Sequence, residues 1–255
     1  MLPRVASLPA PTPDLTALET RLEALHARIE RACRSAGRGP DCVRLVAVTK
    51  GTGPEEAAEL ARLGQLDLGE SRVQALEEKA AWLAARGLRP RWHLLGHLQR
   101  NKARRAVVLA ESIHSVDSLR LLETLERVAE EEGRRPRIYL ELNLTGAGAR
   151  TGLPPEELSA AIDLARGLPH LQLAGLMTMA PEAEAGAAGA DAARRAFRRL
   201  RELRDALPPE RATAFAQGRA QLSMGMSSDF ERAIAEGADV VRVGSALVGR
   251  VEAGT

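Results

Sequence analysis

The chain has 255 residues, enough for one large domain or two small ones with a substantial hydrophobic core. Its hydrophobic fraction of 45%, charged fraction of 27% and net charge of +2 are ordinary for a soluble protein and argue against a nucleic-acid partner. Cys33 and Cys42 are the only cysteines, which excludes a disulfide framework and indicates a reducing compartment. Without a signal peptide or an apolar stretch of membrane-spanning length, we expect a cytoplasmic protein with no membrane partner.

The N-terminal region predicts a tail followed by one amphipathic helix. Residues 1–13 contain four prolines and only short apolar pieces, so we expect a flexible tail there. A helix is predicted to open near Thr12 or Asp14 and to stop before Gly37. Its leucines recur at three- and four-residue steps, which favours an apolar stripe lying on the domain over a dimerising coiled coil.

Strand-like runs and helical segments alternate along the rest of the chain. The runs are 44–50, 66–70, 91–96, 112–117, 137–144, 171–179, 220–226 and 240–245. Segments with helical spacing lie between them, for example 54–63, 72–85 and 156–165, and residues 182–191 read as a surface loop. This alternation predicts an α/β fold, a single (β/α)8 TIM barrel over residues 14–250, with an extra N-terminal helix and a short C-terminal tail at 251–255. A doubly wound open sheet is the alternative, but no G-x-G-x-x-G follows the first run.

Lys50 ends the first strand-like run and is a candidate nucleophile. Only three lysines accompany 33 arginines in this sequence. A guanidinium keeps its proton, whereas a desolvated lysine amine can lose it and condense with an aldehyde. Since TIM barrels carry their chemistry at the carboxyl ends of the strands, Lys50 is expected at the functional face and shielded from water.

Two further segments near the end of the chain indicate an anion site. Gly244 permits close approach to the backbone, and Ser245 offers a hydroxyl at a predicted helix start, after the strand where barrels often bind phosphate. Arg242 lies inside an apolar strand, so its charge should meet a ligand or an internal carboxylate, and the sequence leaves both open. Ser223 and Gly225 close the preceding strand, while Ser228 and Glu231 fit a capping box.

Two other groups of residues carry less functional information. His93 and His97 have metal-ligand spacing only if they lie on a helix, and their segment reads as a strand, so we expect no metal. The arginine-rich segment 191–207 alternates with acidic residues around an apolar face, which is typical of a solvated outer helix.

With these segments in place, the sequence resembles the pyridoxal phosphate homeostasis protein family, the single-barrel relatives of the alanine racemase N-terminal domain. The matching stretches are VAVTK (46–50), LGESRVQ (68–74), WHLLGHLQRNK (92–102), IHSVDS (113–118), GLM (175–177), LSMGMS (222–227) and VRVGS (241–245). They run in the family's order across the chain after the first helix. Ser71, Ser245 and the Arg150-Thr151-Gly152 stretch depart from the residues most usual in the family at those places.

The resemblance implies a fold-type III barrel that holds pyridoxal 5′-phosphate on Lys50 as a Schiff base, the internal aldimine. It places the phosphate near Ser223, Gly225, Gly244 and Ser245, and it places Arg242 close to the pyridine ring. Ser245 retains a hydroxyl where threonine is common, so phosphate binding should be little affected. Ser71 stands where asparagine is usual, so a contact made by that amide is not expected here.

The resemblance also implies a carrier or buffer of pyridoxal phosphate in vitamin B6 homeostasis, and not an enzyme. An arginine near the ring nitrogen disfavours the protonated pyridinium that withdraws electrons during catalysis. Racemases of the related family take a tyrosine from a second domain, whereas this sequence holds only Tyr139, within a predicted strand. We therefore expect no catalytic residues, a monomer, and PLP-dependent apo-enzymes as possible recipients. The alternatives are a PLP-dependent amino-acid racemase or lyase, and an aldolase-like barrel that uses Lys50 without a cofactor.

Overall fold

The computed structural model describes residues 15–145, 151–181 and 187–249, and within them eight parallel strands close into a barrel. Each strand pairs with the next, and the last pairs with the first. The strands are β1 (Arg44–Val48), β2 (Asp67–Glu70), β3 (Arg91–Leu94), β4 (Ser112–Val116), β5 (Arg137–Glu141), β6 (Gln172–Met177), β7 (Gln221–Ser223) and β8 (Val240–Val243). All eight predicted runs contain a strand, and the predicted (β/α)8 barrel is confirmed.

Helices follow the strands around the outside of the barrel. They are α1 (Leu15–Ser35), α2 (Pro54–Arg62), α3 (Val73–Ala84), α4 (Ala103–Leu109), α5 (Leu119–Glu131), α6 (Leu158–Arg166), α7 (Ala187–Asp205), α8 (Pro209–Ala212), α9 (Phe230–Ala235) and α10 (Ser245–Val248). Short 3₁₀ turns at Arg100–Lys102 and Pro155–Glu157 precede α4 and α6. None of the described helices is both long and apolar enough to cross a bilayer.

The predicted surface loop at 182–191 is wrong for its second half. Residues 187–191 form the first turn and a half of α7, because this alanine-rich stretch has high helix propensity despite its glycine. Residues 182–186 lie outside the described residues, as do the predicted tails at 1–13 and 251–255 and the predicted helix start at Thr12 or Asp14.

Helix α1 lies against α2, α9 and α10 and buries the predicted stripe. Leu18, Leu22, Leu25 and Ile29 are all buried in the core. Arg28 pairs with Glu231 of α9 at 2.5 Å, and Gly37 ends the helix with a φ of +66°. Because the apolar stripe is used within the chain, α1 is part of the barrel's outer layer.

The interior of the barrel is only partly apolar. Val46, Tyr139, Ala174, Met177 and Val240 form an apolar cluster of their own, separate from the large core beneath the helices. Buried polar side chains lie beside this cluster, and such groups require hydrogen-bond partners. They are Asp67, His93, His114, Ser223 and Arg242.

Candidate functional site

The carboxyl ends of β7, β8 and β1 meet at one rim of the barrel. Ala47 pairs with Val243, and a Cβ added to Gly244 would lie 3.0 Å from the carbonyl oxygen of Val48. The backbones after β8 and β1 are therefore in contact. Lys50, two residues beyond Val48, lies on the same rim as Gly244 and Ser245.

Lys50 lies in a tight turn just after β1. The carbonyl oxygen of Thr49 accepts hydrogen bonds from the backbone N–H and the hydroxyl of Thr52, at 3.2 and 2.9 Å, and Gly51 adopts a φ of +79°. The side chain of Lys50 is exposed, so the expectation that the protein itself shields this amine from water is wrong. A residue that follows the end of a barrel strand lies at the face where this fold builds its functional sites.

A buried ion pair supports the turn that carries Lys50. Lys79 of α3 donates to Glu70 at 2.5 Å and to the carbonyl oxygen of Thr49 at 2.6 Å, and the hydroxyl of Thr49 also donates to Glu70. Lys79 and Glu70 are both buried. This cluster was not predicted, although Lys79 falls within the apolar stripe of α3, where an unpaired lysine would be costly.

Backbone donors converge after β8. The N–H groups of Gly244 and Ala246 both donate to the hydroxyl oxygen of Ser227, at 3.2 and 3.4 Å. Ser245 between them is exposed. Ser227 belongs to the stretch 222–227 that carries the family resemblance, but it was not predicted as a site residue. These N–H groups and the two hydroxyls make this corner of the rim rich in hydrogen-bond donors.

Gly225 joins the end of β7 to this corner. It has a φ of +95°, and an added Cβ would lie 2.6 Å from the Cβ of Ala233 in α9. Only glycine fits both the conformation and the space. The predicted capping box does not form, because Asp229 precedes α9 and Glu231 bonds to Arg28 instead.

Arg242 is buried within β8 and its contacts are neutral. Its Nη1 donates to the hydroxyl of Ser223 at 2.7 Å and its Nη2 to the carbonyl oxygen of Thr178 at 3.1 Å. Within the described part of the chain no carboxylate pairs with it, so the internal salt bridge that the sequence left open is not found there. Burial lowers the pKa of Arg242 to about 10.

Ser223 lies below the rim. It is fully buried, and its hydroxyl contacts Arg242 and, at 2.8 Å, the Nδ1 of His114. The resemblance placed this residue near a phosphate, but its hydroxyl is held by these two partners. Ser223 is thus positioned to support Arg242, while the donors on the rim itself come from the segment after β8.

Acidic and imidazole groups occupy the opposite part of the rim. His97 and Asp117, which follow β3 and β4, are joined by a 2.7 Å hydrogen bond. Glu141 at the end of β5 accepts from Thr151, and burial, together with the Asp117 carboxylate, raises the pKa of Glu141. Across residues 15–145, 151–181 and 187–249, no three His, Cys, Asp or Glu side chains form a group that could hold a metal ion.

Known proteins are similar to this chain over most of its length. The family "Alanine racemase, N-terminal domain" matches residues 20–251. A pyridoxal phosphate homeostasis protein of Aquifex aeolicus is 37% identical over 229 residues, which cover 90% of this chain and 96% of that protein. A protein of the same name from Pseudomonas aeruginosa is 36% identical over 226 residues, covering 88% of this chain and 91% of that protein.

Solved structures give the same assignment. The structure of PipY from Synechococcus elongatus with PLP bound has 36% sequence identity and a TM-score of 0.76, and the match covers 91% of this chain and all of that one. Alanine racemase of Clostridium difficile has 18% identity and a TM-score of 0.66, and the match covers 91% of this chain but 56% of the racemase. The likeness to the racemase is therefore one of fold.

Proposed function

This chain belongs to the alanine racemase N-terminal domain family, as one of its pyridoxal phosphate homeostasis proteins, and we propose that it is a reversible carrier of pyridoxal 5′-phosphate. The observation that carries this proposal is the meeting of β7, β8 and β1 at one rim. That meeting brings an exposed lysine amine, a corner of hydrogen-bond donors and a buried arginine to the same end of the barrel.

The residues present fit the chemistry of the cofactor. When bound, pyridoxal phosphate supplies an aldehyde carbon that reacts reversibly with a primary amine, next to an electron-withdrawing pyridine ring. Lys50 would hold the aldehyde carbon. The N–H groups of Gly244 and Ala246, which donate to Ser227 in this structure, would exchange that acceptor for the phosphate, and the hydroxyls of Ser227 and Ser245 would donate to it as well. Gly225 lets the chain after β7 turn closely against α9 beside this corner. Arg242 would donate to the ring nitrogen, the one acceptor on the ring's far side.

Two features of the chain support a carrier without catalysis of its own. Arg242 can only donate a hydrogen bond, so it would favour a ring nitrogen that carries no proton, which weakens electron withdrawal. Tyr139 is the only tyrosine of the sequence, and its hydroxyl is buried and donates to Gln221 at the start of β7, at the opposite end of the barrel from Lys50. It is therefore out of reach of a substrate on the rim.

The exposure of Lys50 suits transfer of the cofactor to another protein. An incoming amine must reach the carbon that Lys50 holds, and an open rim allows this without unfolding of the barrel. We propose PLP-dependent apo-enzymes as recipients and a monomer as the working form. Mixing the loaded protein with an apo-enzyme across a dialysis membrane, and again without one, separates direct transfer from release into solution.

The covalent part of the proposal is tested on Lys50. Borohydride reduction of the loaded protein should fix the cofactor on Lys50, which peptide mass spectrometry would identify. Lys50→Ala should lose the label and the visible absorption of the bound cofactor. Lys102→Ala, the matched control on a partly buried lysine of a 3₁₀ turn, should keep both. Labelling of Lys79 or Lys102, or none at all, would refute the proposal.

The racemase or lyase alternative is tested by turnover. Incubation of the loaded protein with single L-amino acids should produce no inverted or cleaved product beyond a trace. Tyr139 cannot reach such a substrate, and the loss of one general acid–base group typically lowers a rate by ~10²–10⁴-fold. Sustained turnover that Lys50→Ala abolishes would replace the carrier proposal with an enzymatic one. Ser245→Ala should weaken cofactor retention without affecting which lysine is labelled.

A further inference from the structure

We propose that His114, His93 and Asp67 are positioning residues for Arg242, joined to it by a hydrogen-bonded column that crosses the barrel. The proposal rests on the proposed function in one respect, the donation by Arg242 to the ring of the bound cofactor. The column itself is a property of the protein alone. It runs from β8 through β7, β4 and β3 to β2, and each member touches the next.

The distances along the column are those of good hydrogen bonds. Arg242 Nη1 lies 2.7 Å from Ser223 Oγ, which lies 2.8 Å from His114 Nδ1. His114 Nε2 lies 3.0 Å from His93 Nδ1, and His93 Nε2 lies 2.9 Å from Asp67 Oδ1. All five side chains are buried, with exposed fractions of 7% or less.

The carboxylate end of the column sets the direction of its hydrogen bonds when both rings are neutral. Asp67 only accepts, so His93 carries its proton on Nε2 and its Nδ1 accepts from Nε2 of His114. His114 then has an unprotonated Nδ1, which accepts the proton of the Ser223 hydroxyl. Arg242 only donates and is compatible with this direction, because Ser223 Oγ keeps a lone pair for it. Both histidines have the same tautomer.

The surroundings keep the members of the column in these states. Burial lowers the pKa of His93 and, together with the nearby His93 and Arg242, holds that of His114 well below its usual value, so both rings are neutral. Burial opposes the ionisation of Asp67, but hydrogen bonds from Arg91 and His93 outweigh it and hold its pKa below the usual range. Arg91 forms a two-pronged ion pair with Asp67, at 2.7 and 2.9 Å.

The column gives Arg242 a fixed orientation that its own contacts do not ensure. A serine hydroxyl rotates freely, and it could turn its proton towards the guanidinium. His114 removes that freedom by accepting the proton, and His93 with Asp67 holds His114 in the accepting tautomer. Ser223 therefore keeps a lone pair on Arg242, while Thr178 holds the second nitrogen. The guanidinium plane is set before any ligand arrives.

The first test needs no cofactor. In ¹⁵N-labelled protein near neutral pH, long-range ¹H–¹⁵N spectra should show His93 and His114 as neutral rings protonated on Nε2. A ring of either histidine protonated on Nδ1, or on both nitrogens, would overturn the proposal. Tyr139→Phe retains the ring stacked on His114 at 4.2 Å and loses only a hydroxyl that donates to Gln221, so it should leave these signals in place.

The second test measures cofactor binding in variants that break the column. His114→Phe should weaken cofactor affinity roughly tenfold and shift the pH at which the absorption of the bound cofactor changes. The reason is that the hydroxyl of Ser223, the partner of Arg242, is then no longer held in one orientation. Asp67→Asn, at the other end of the column, should shift that pH in the same sense with a smaller loss of affinity. Tyr139→Phe should do neither. Unchanged affinity and pH profile in folded Asp67→Asn and His114→Phe would overturn the proposal.

Failure of the column and failure of the carrier function have different signatures. If borohydride labels Lys50 normally in the wild-type protein and in both variants while affinity is unchanged, only the positioning role is refuted. If the wild-type protein takes no label on Lys50, the carrier function falls, and the histidine tautomers still test the column. Should His114→Phe not fold, Asp67→Asn and the wild-type spectra decide.

Discussion

The Glu70–Lys79 pair holds the backbone at Thr49, the residue before Lys50. Lys79 is the only positive charge bonded to the buried Glu70 carboxylate in the described structure, and it also binds the carbonyl oxygen of Thr49. Lys79→Met keeps the length of the side chain and removes the charge. It should cost about 3–5 kcal/mol of unfolding free energy, since it leaves a buried carboxylate unpaired. Urea denaturation measures this.

The control for this prediction is another lysine. Lys102→Met changes a partly buried residue for which no ion pair is formed in the described structure, and should alter stability by no more than about 0.5 kcal/mol. If Lys79→Met is as mild as Lys102→Met, the ion pair has no structural role. A slower reaction of Lys50 with pyridoxal phosphate in folded Lys79→Met would tie the pair to the site.

The sequence predicted the position of Lys50 but not its environment. Its place after a strand follows from the pattern of the first run, because barrel side chains beyond a strand end reach the mouth. Its exposure and its support by Lys79 depend on how α3 packs on β1 and β2, which no local pattern encodes. The partners of Ser223 were not predicted for the same reason, since one of them, His114, is 109 residues away.

At the scale of elements, the two cysteines join the end of α1 to the segment before β1. Their sulfur atoms lie 3.5 Å apart, a proximity that no sequence pattern predicted. Cys33 is buried, and burial and the neighbouring Cys42 raise its pKa to about 11. Cys42 is partly exposed, and its thiol is the one that an oxidant reaches first. The two sulfur atoms are not covalently linked in this structure.

We expect the oxidant diamide to link Cys33 to Cys42 within one chain, with both thiol hydrogens passing to the reagent. Intact-mass spectrometry should show the loss of two hydrogens, and the oxidised protein should be more stable by up to about 3 kcal/mol, from the reduced freedom of the unfolded chain. Cys42→Ser should show neither change. Covalent dimers, or two reagent-modified thiols with no internal link, would contradict this prediction.

The arginine-rich helix α7 has a structural role that its sequence does not indicate. The sequence predicted a solvated outer helix, and the exposed arginines of α7 agree with that. Three of them nevertheless converge on one buried carboxylate, Glu236, which follows α9: Arg194, Arg198 and Arg201. These ion pairs attach α7 to the end of the neighbouring helix α9.

At the scale of the whole molecule, the barrel was predictable and its polar interior was not. Alternation of strands with amphipathic helices is a local property that repeats along the chain, so eight units could be counted from the sequence. The column from Arg242 to Asp67 joins five strands, and its members lie far apart in the sequence. Only barrel closure, which makes β8 a neighbour of β1, brings such residues into one interior.

The buried histidines of the column should make the stability of the whole barrel depend on pH. Burial lowers the pKa of His93 and His114, so as the pH falls below about 6.5 the unfolded chain takes up protons that the folded chain refuses. The contribution of the two histidines to the free energy of unfolding is therefore fully present above that pH. Below it the contribution falls, by at most about 1.4 kcal/mol per pH unit for each histidine.

Urea denaturation at pH 7.5, 6.5 and 5.5 measures the free energy of unfolding, which should decrease mainly between pH 6.5 and pH 5.5. The effect of Asp67 belongs to a more acidic range, because its pKa is depressed from a value near 3.8 and its contribution is lost only as the pH falls below that. His114→Phe should flatten the dependence, while Tyr139→Phe, which keeps both buried histidines and the ring stacked on His114, should leave the slope unchanged. A wild-type stability that stays constant or rises from pH 6.5 to 5.5 would mean that the interior accepts the charge, and a column of neutral rings could not then be what orients Arg242.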